Sequence, residues 1–160
     1  MAGKSGRKPV ARSWIRAALL ATALAIGLWL PGRISVASTP SLGFRLFFLG
    51  KAGDRFEQGD YLLFRKHMDH AATDLLLKKV GCATGQRLTV NNDEYYCDGN
   101  YLGRALTQDS KGNRLPQFIF NGFVPAGSLF MVGNHPRSYD SKYFGFIHAD
   151  SVLKKAYPIW

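Results

Sequence analysis

The chain has 160 residues, 46% of them hydrophobic, 13% aromatic and 20% charged, which excludes a disordered protein and suits one folded domain with a short appendage. Its formal net charge of +10 invites a nucleic-acid reading, yet Lys4, Arg7, Lys8, Arg12, Arg16 and Arg33 all fall in the first 33 residues, which hold no acid. Without those six, 15 basic side chains face 11 acidic ones, and a remainder of +4 argues against nucleic acid as a partner.

Residues 1–33 read as a basic N-terminus followed by a transmembrane signal anchor, and 34–160 as a separate domain outside the membrane. The stretch 14–30 is apolar except for Arg16, and Pro31-Gly32 ends it. Its uninterrupted part, 17–30, is short against the ~20 residues a bilayer crossing needs. Arg16 can snorkel to the head groups and Trp14 and Trp29 suit the two interfaces, so a thin span is feasible. A cleaved secretory signal is the alternative, because Ser35-Val36-Ala37 resembles a small-residue cleavage site. Either way the positive-inside bias puts the rest of the chain outside.

Beyond the leader, 35–43 is rich in small residues and reads as a loop, and 44–49 as a short strand. Gly59-Asp60 marks a turn before a strand at 61–64. By pattern alone, 74–80 is a strand or a helix end, broken at 81–85. Residues 87–90 and 94–97 predict a hairpin around Asn91-Asn92-Asp93, and Asp98-Gly99-Asn100 begins another turn. Further short strands are expected at 117–120, 128–132 and 143–147. So many short strands and turns predict a mainly β, antiparallel domain. Cys82 and Cys97 are the only cysteines, and an even count in an exported domain predicts a disulfide, with two free thiols as the alternative. The four histidines (His67, His70, His135 and His148) show no ligand spacing with either cysteine, so no metal is expected.

Three separated segments carry the chemistry: Thr39-Pro40-Ser41-Leu42, Leu76-Leu77-Lys78-Lys79-Val80-Gly81 and the run Ser138-Tyr139-Asp140-Ser141-Lys142-Tyr143-Phe144-Gly145. The last resembles the S-x-D-S-R-Y-F/W-G box of type I signal peptidases, with Lys142 in place of Arg. Residues 124–133 are similar to that family's V-P-x-G-x-x-F-x-x-G lead-in, Gly59-Asp60-Tyr61 to its G-D-x-V box, and Lys78-Lys79 to its Lys-Arg pair. Asn134-His135-Pro136-Arg137 departs from the housekeeping G-D-N-R pattern and resembles the conjugative-transfer branch, the TraF-type pilin peptidases. Gly43, where the family has Pro, and Gln86, where it prefers Asp, are further departures.

The resemblance implies a signal-peptidase-like β domain with one N-terminal transmembrane helix, in the bacterial inner membrane with its catalytic domain on the periplasmic side. It makes Ser41 the nucleophile, with Ser38 a rival because Pro40 lies two residues beyond it. Lys78 matches the general base. An ordinary lysine titrates at ~10.4, so it must be buried among apolar side chains to accept a proton near neutrality. On a strand, Leu76, Lys78 and Val80 would share one face, although Lys79 would equally share one with Leu77. The Thr39 hydroxyl matches an oxyanion donor, Ser138 the serine that orients the lysine amine, and Asp140 with Lys142 a supporting ion pair. Implied partners are an exported, pilin-like precursor, the lipid bilayer and other components of a conjugation or type IV secretion complex. No cofactor is implied. The product is linear after hydrolysis, or cyclic after transfer to an amine. Competing readings are a general signal peptidase and a non-catalytic exported β scaffold. An anchor is favoured over a cleaved signal, since a cut at Ala37 would leave Thr39 and Ser41 at a frayed terminus.

Overall fold

The structure, a computed structural model, describes residues 10–29, 32–36, 42–68 and 71–160. The chain divides into two compact units, Met1–Ile34 and Ser35–Trp160. In the first, Val10–Trp29 forms a helix (α1) rich in Ala, Leu and Ile. Arg12 and Arg16 sit in its first two turns and leave only the part from Ala17 onward free of charge. Among the described residues no helix is long and apolar enough to cross a membrane, which corrects the expected transmembrane span. Trp14, Leu19, Leu20, Leu24 and Leu28 of α1 are all exposed.

From Ile34 onward the described residues form two sheets. The strands are β1 (Ile34–Val36), β2 (Leu46–Lys51), β3 (Tyr61–Met68), β4 (Ala71–Cys82), β5 (Arg87–Asn91), β6 (Glu94–Cys97), β7 (Asn100–Arg104), β8 (Gly122–Phe123), β9 (Ser128–Val132), β10 (Ile147–His148) and β11 (Val152–Pro158). One sheet runs β1-β2-β11-β3-β4-β9-β10 and the other β7-β6-β5-β8. From β2 to β10, and throughout the second sheet, neighbouring strands are antiparallel. The mainly β, antiparallel architecture expected from the sequence is therefore present.

Local chemistry explains several elements. Asn92 and Asp93 have φ of 48° and 65°, and Asn91 pairs with Glu94, so the first hairpin closes on a two-residue turn with both central residues left-handed. Asp98 and Gly99 repeat that geometry between β6 and β7. β9 is buried at all five positions because both of its faces are covered. Leu129 and Met131 join Leu62, Phe64 and Val80 in one core. Phe130 and Val132 join Leu88, Tyr95, Cys82 and Cys97 in the core between the sheets. Burying side chains of this size stabilises by ~1.5–3 kcal/mol each.

Other expectations need correction. Residues 143–147 are not one strand: Ser141–Phe144 is a short helix (α2) whose N-cap is Asp140, and only Ile147–His148 is extended pairing. The Asp140 carboxylate accepts the Lys142 N–H and starts the turn, and Gly145, at φ 75°, ends it. Residues 117–120 form no strand either; Phe118 gives its N–H to the Lys142 carbonyl, and its ring packs edge-on to Phe146. The loop expected over 35–43 includes part of β1.

Candidate active site

β4 is the spine of the site. Lys78 lies opposite Leu62 of β3, with Leu76 and Val80 on its own face, so the strand alternation expected from the sequence points it into an apolar layer. It is only 7% exposed. Its Nζ donates to Ser138 Oγ at 2.8 Å, across 60 residues of sequence. Burial lowers the Lys78 pKa below the usual lysine range; the Asp140 carboxylate opposes that shift and the Lys142 ammonium adds to it. Neighbouring Lys79 projects from the other face, where it lines a cavity of about 430 Å³ with Tyr101, Arg104, His135 and Pro136.

Ser138 is held by the loop after β9. Its N–H donates to the His135 carbonyl at 2.9 Å, closing a turn. Two residues on, Asp140 is fully buried and accepts from Lys142 Nζ at 2.7 Å, from the Gly133 N–H at 2.9 Å and from the Lys142 N–H at 3.2 Å. The expected ion pair is thus a buried one, with Lys142 2% exposed. Ser141 carries a role that the sequence reading missed: its buried Oγ accepts the Met131 N–H at 2.8 Å and ties the segment to β9. Its place in the S-x-D-S box was the available signal.

Ser41, Thr39 and the rival Ser38 lie outside the described residues. The residue that follows Ser41 is firmly held. Leu42 is 1% exposed and packs with Phe47 and Ala156, and its carbonyl accepts from Asn134 Nδ2 at 2.9 Å. Gly43 then turns with φ 76°. Of the residues singled out in the sequence, Lys78, Ser138, Asp140 and Lys142 come together in one buried cluster. Cys82 and Cys97 are joined in a disulfide with Cα atoms 5.5 Å apart, between the end of β4 and the end of β6. Among the described residues no group of three or more His, Cys, Asp or Glu side chains could hold a metal ion.

A buried amine with a depressed pKa, hydrogen-bonded to a hydroxyl and not to a carboxylate, can give up and take back a proton more readily than a solvated lysine. Two proteins named conjugal transfer protein TraF are similar: one from Agrobacterium fabrum strain C58, 34% identical over 87 residues, and one from Agrobacterium tumefaciens strain 15955, 31% identical over 88. Each alignment covers 53% of this chain and 48% of the relative, so the chain spans about half the length of the curated relatives it matches. A signal peptidase I from Enterococcus faecalis V583, known from a crystal structure, aligns at 25% identity with a TM-score of 0.42, over 64% of this chain and 97% of its own. Residues 7–160 match the family described as signal peptidase, peptidase S26, and the chain belongs to that family.

Proposed function

We propose that this chain is a serine endopeptidase that removes the leader of an exported precursor protein, a pilin-like subunit of a conjugation system, through a Ser41–Lys78 dyad. The single observation that carries the reading is the buried Lys78 donating to Ser138 Oγ at 2.8 Å. An amine in that setting loses its proton more readily than a solvated one, and burial without a direct carboxylate partner would be a pure cost to a scaffold protein.

In this reading one N–H of neutral Lys78 is committed to Ser138, which aims the lone pair at the nucleophile. The Ser41 hydroxyl attacks the scissile carbonyl carbon as its proton passes to Lys78 Nζ. The developing oxyanion is met by the Ser41 backbone N–H and the Thr39 hydroxyl. Collapse expels the leaving amine, which takes the proton back from Lys78, and leaves an acyl-enzyme. Water then releases the leader from the acyl-enzyme; a cyclic subunit forms instead only where the cut lies at the C-terminal side of the subunit, so that the subunit is the acyl group and its own terminal amine replaces water. Residues 1–33 serve as the leader segment and 34–160 as the peptidase domain, working at the membrane or in the periplasm. The similarity to proteins named for conjugal transfer supports that setting.

Co-expression with a pilin-like precursor, followed by intact-mass measurement, tests the proposal. Wild-type chain should shorten the precursor, Ser41→Ala should not, and Ser38→Ala should behave as wild type. Loss with Ser38→Ala and retention with Ser41→Ala would move the nucleophile. Processing by both single variants and by the double variant would end the serine mechanism.

A further inference from the structure

We infer that Asn134 is a positioning residue for the nucleophile loop, a role that rests on the peptidase reading above. Its Nδ2 donates to the Leu42 carbonyl at 2.9 Å, across 92 residues of sequence. That carbonyl belongs to the residue after Ser41, and the next residue is Gly43 at φ 76°. Glycine is the most permissive residue of the backbone, so a turn built on it needs an outside tie to hold one geometry. The Leu42 side chain is fixed by the Phe47–Ala156 core, and Asn134 fixes the peptide plane that follows it. A Cβ at position 43 would lie 3.6 Å from Asn134 Nδ2, so the amide sits directly against the turn.

Asn134 is itself well placed to hold a fixed point. On one side the Gly133 N–H is bound to the buried Asp140 carboxylate, and on the other the His135 carbonyl accepts the Ser138 N–H. Ser138 in turn accepts from Lys78. One segment therefore holds Ser138, and through it Lys78, as well as Leu42, the residue that follows Ser41 in the chain. Reaction rates fall on the order of 10²-fold for a misplacement of ~1 Å, so this tie bears on kcat more than on substrate binding.

Asn134→Asp is the test, since it keeps the shape, removes the N–H donor and turns a carboxylate oxygen toward the Leu42 carbonyl. Hydrogen exchange of a peptide covering residues 42–46 should accelerate at least tenfold, with β4 and β9 unchanged. On a processed precursor, kcat should drop ~10–100-fold with KM within about twofold and the alkaline midpoint of the pH–rate profile in place. Asn134→Ala, which deletes the donor without adding charge, should reproduce both effects if the aspartate variant fails to fold. Wild-type exchange at 42–46 in both variants overturns the role. So does a kcat loss in Asn134→Ala, which adds no charge, that comes with a shifted alkaline midpoint, because it would assign Asn134 to the setting of Lys78 and not to the turn at Leu42. The exchange result does not depend on turnover, so a wild-type chain that processes no precursor refutes the peptidase reading and leaves this one to be decided by exchange.

Discussion

Removing the Asp140 charge should be the most damaging single change near the site. Asp140 is fully buried, and Asp140→Asn leaves the Lys142 ammonium, 2.7 Å away and 3% exposed at its side chain, without a counter-charge. Breaking one half of a buried pair typically costs ~3–5 kcal/mol. The Gly133 N–H, which donates to the same carboxylate oxygen, would face an amide that accepts at only one atom. For a folded unit of this size ~1 kcal/mol corresponds to roughly 3–5 °C, so Tm should fall by about 10–20 °C. Asp140→Asn combined with Lys142→Met removes both charges and should recover most of that loss, because replacing a whole buried pair is often neutral. Thermal and urea denaturation of the four proteins in the cycle measure the coupling. A loss below ~1 kcal/mol for Asp140→Asn, the scale of an exposed pair, would refute the argument from burial. The pair also acts on Lys78: Asp140 raises its pKa and Lys142 lowers it. The alkaline limb of activity should therefore move to lower pH in Asp140→Asn and to higher pH in Lys142→Met.

Lys78→Arg should be as inactive as Lys78→Ala, because a guanidinium keeps its proton, whereas Lys79→Ala, on the opposite face, should retain activity; turnover by Lys78→Arg would exclude the lysine base. In the wild type, activity should rise with pH to a midpoint below the ~10.4 of an ordinary lysine, and a midpoint at or above it would contradict the effect of burial. Lys78→Met should raise Tm at neutral pH. The folded-state pKa is depressed, so folding releases a proton between the folded and unfolded values, wild-type stability climbs with pH there, and the methionine advantage should shrink in that window. An equal Tm difference at neutral and strongly alkaline pH would count against the depressed pKa. Replacing Cys82 and Cys97 by alanine should cost ~3 kcal/mol, from a bridge that spans 15 residues, and unreduced mass spectrometry should show the linked peptides. Two freely alkylated thiols would refute the bridge.

What the sequence made legible is mostly what is local. The turns at Asn92-Asp93 and Asp98-Gly99 announce their left-handed geometry by residue type, and both hairpins form where those pairs lie. The box from Ser138 to Gly145 was readable as chemistry but misread as backbone. Its apolar Tyr143-Phe144 looks extended, and the competing signal was Asp140 as an N-cap. Lys78 against Lys79 was undecidable by alternation, since either has an apolar neighbour two residues away. β3 and β9 decide it, by bringing Leu62 and Met131 beside Val80 on the face that bears Lys78. Contacts of long range left no trace at all. β11 inserts between β2 and β3, and Asn134 reaches Leu42, because of packing that no short window records.

Two of the departures from the family pattern, Gly43 and Gln86, also have physical accounts. A proline at position 43 would be locked near φ −65°, so the observed turn at 76° requires the glycine that stands there. Gln86 does by hydrogen bonds what a charge would do elsewhere: its Oε1 accepts the Ala83 N–H at 2.8 Å, and its Nε2 donates to Asp98 at 2.9 Å. That bond ties the turn after β4 to the turn after β6. The disulfide makes the same link covalently, from the end of the lysine strand to the end of β6. From β6, the fully buried Tyr95 donates its hydroxyl hydrogen to the Phe118 carbonyl at 2.9 Å and stands 3.1 Å from the Lys142 carbonyl, in a setting that pushes its pKa up to about 12. The strand that carries Lys78 and the segment that carries Ser138 are therefore both fastened to β6. Through those ties the second sheet bears on the 2.8 Å contact between Lys78 Nζ and Ser138 Oγ.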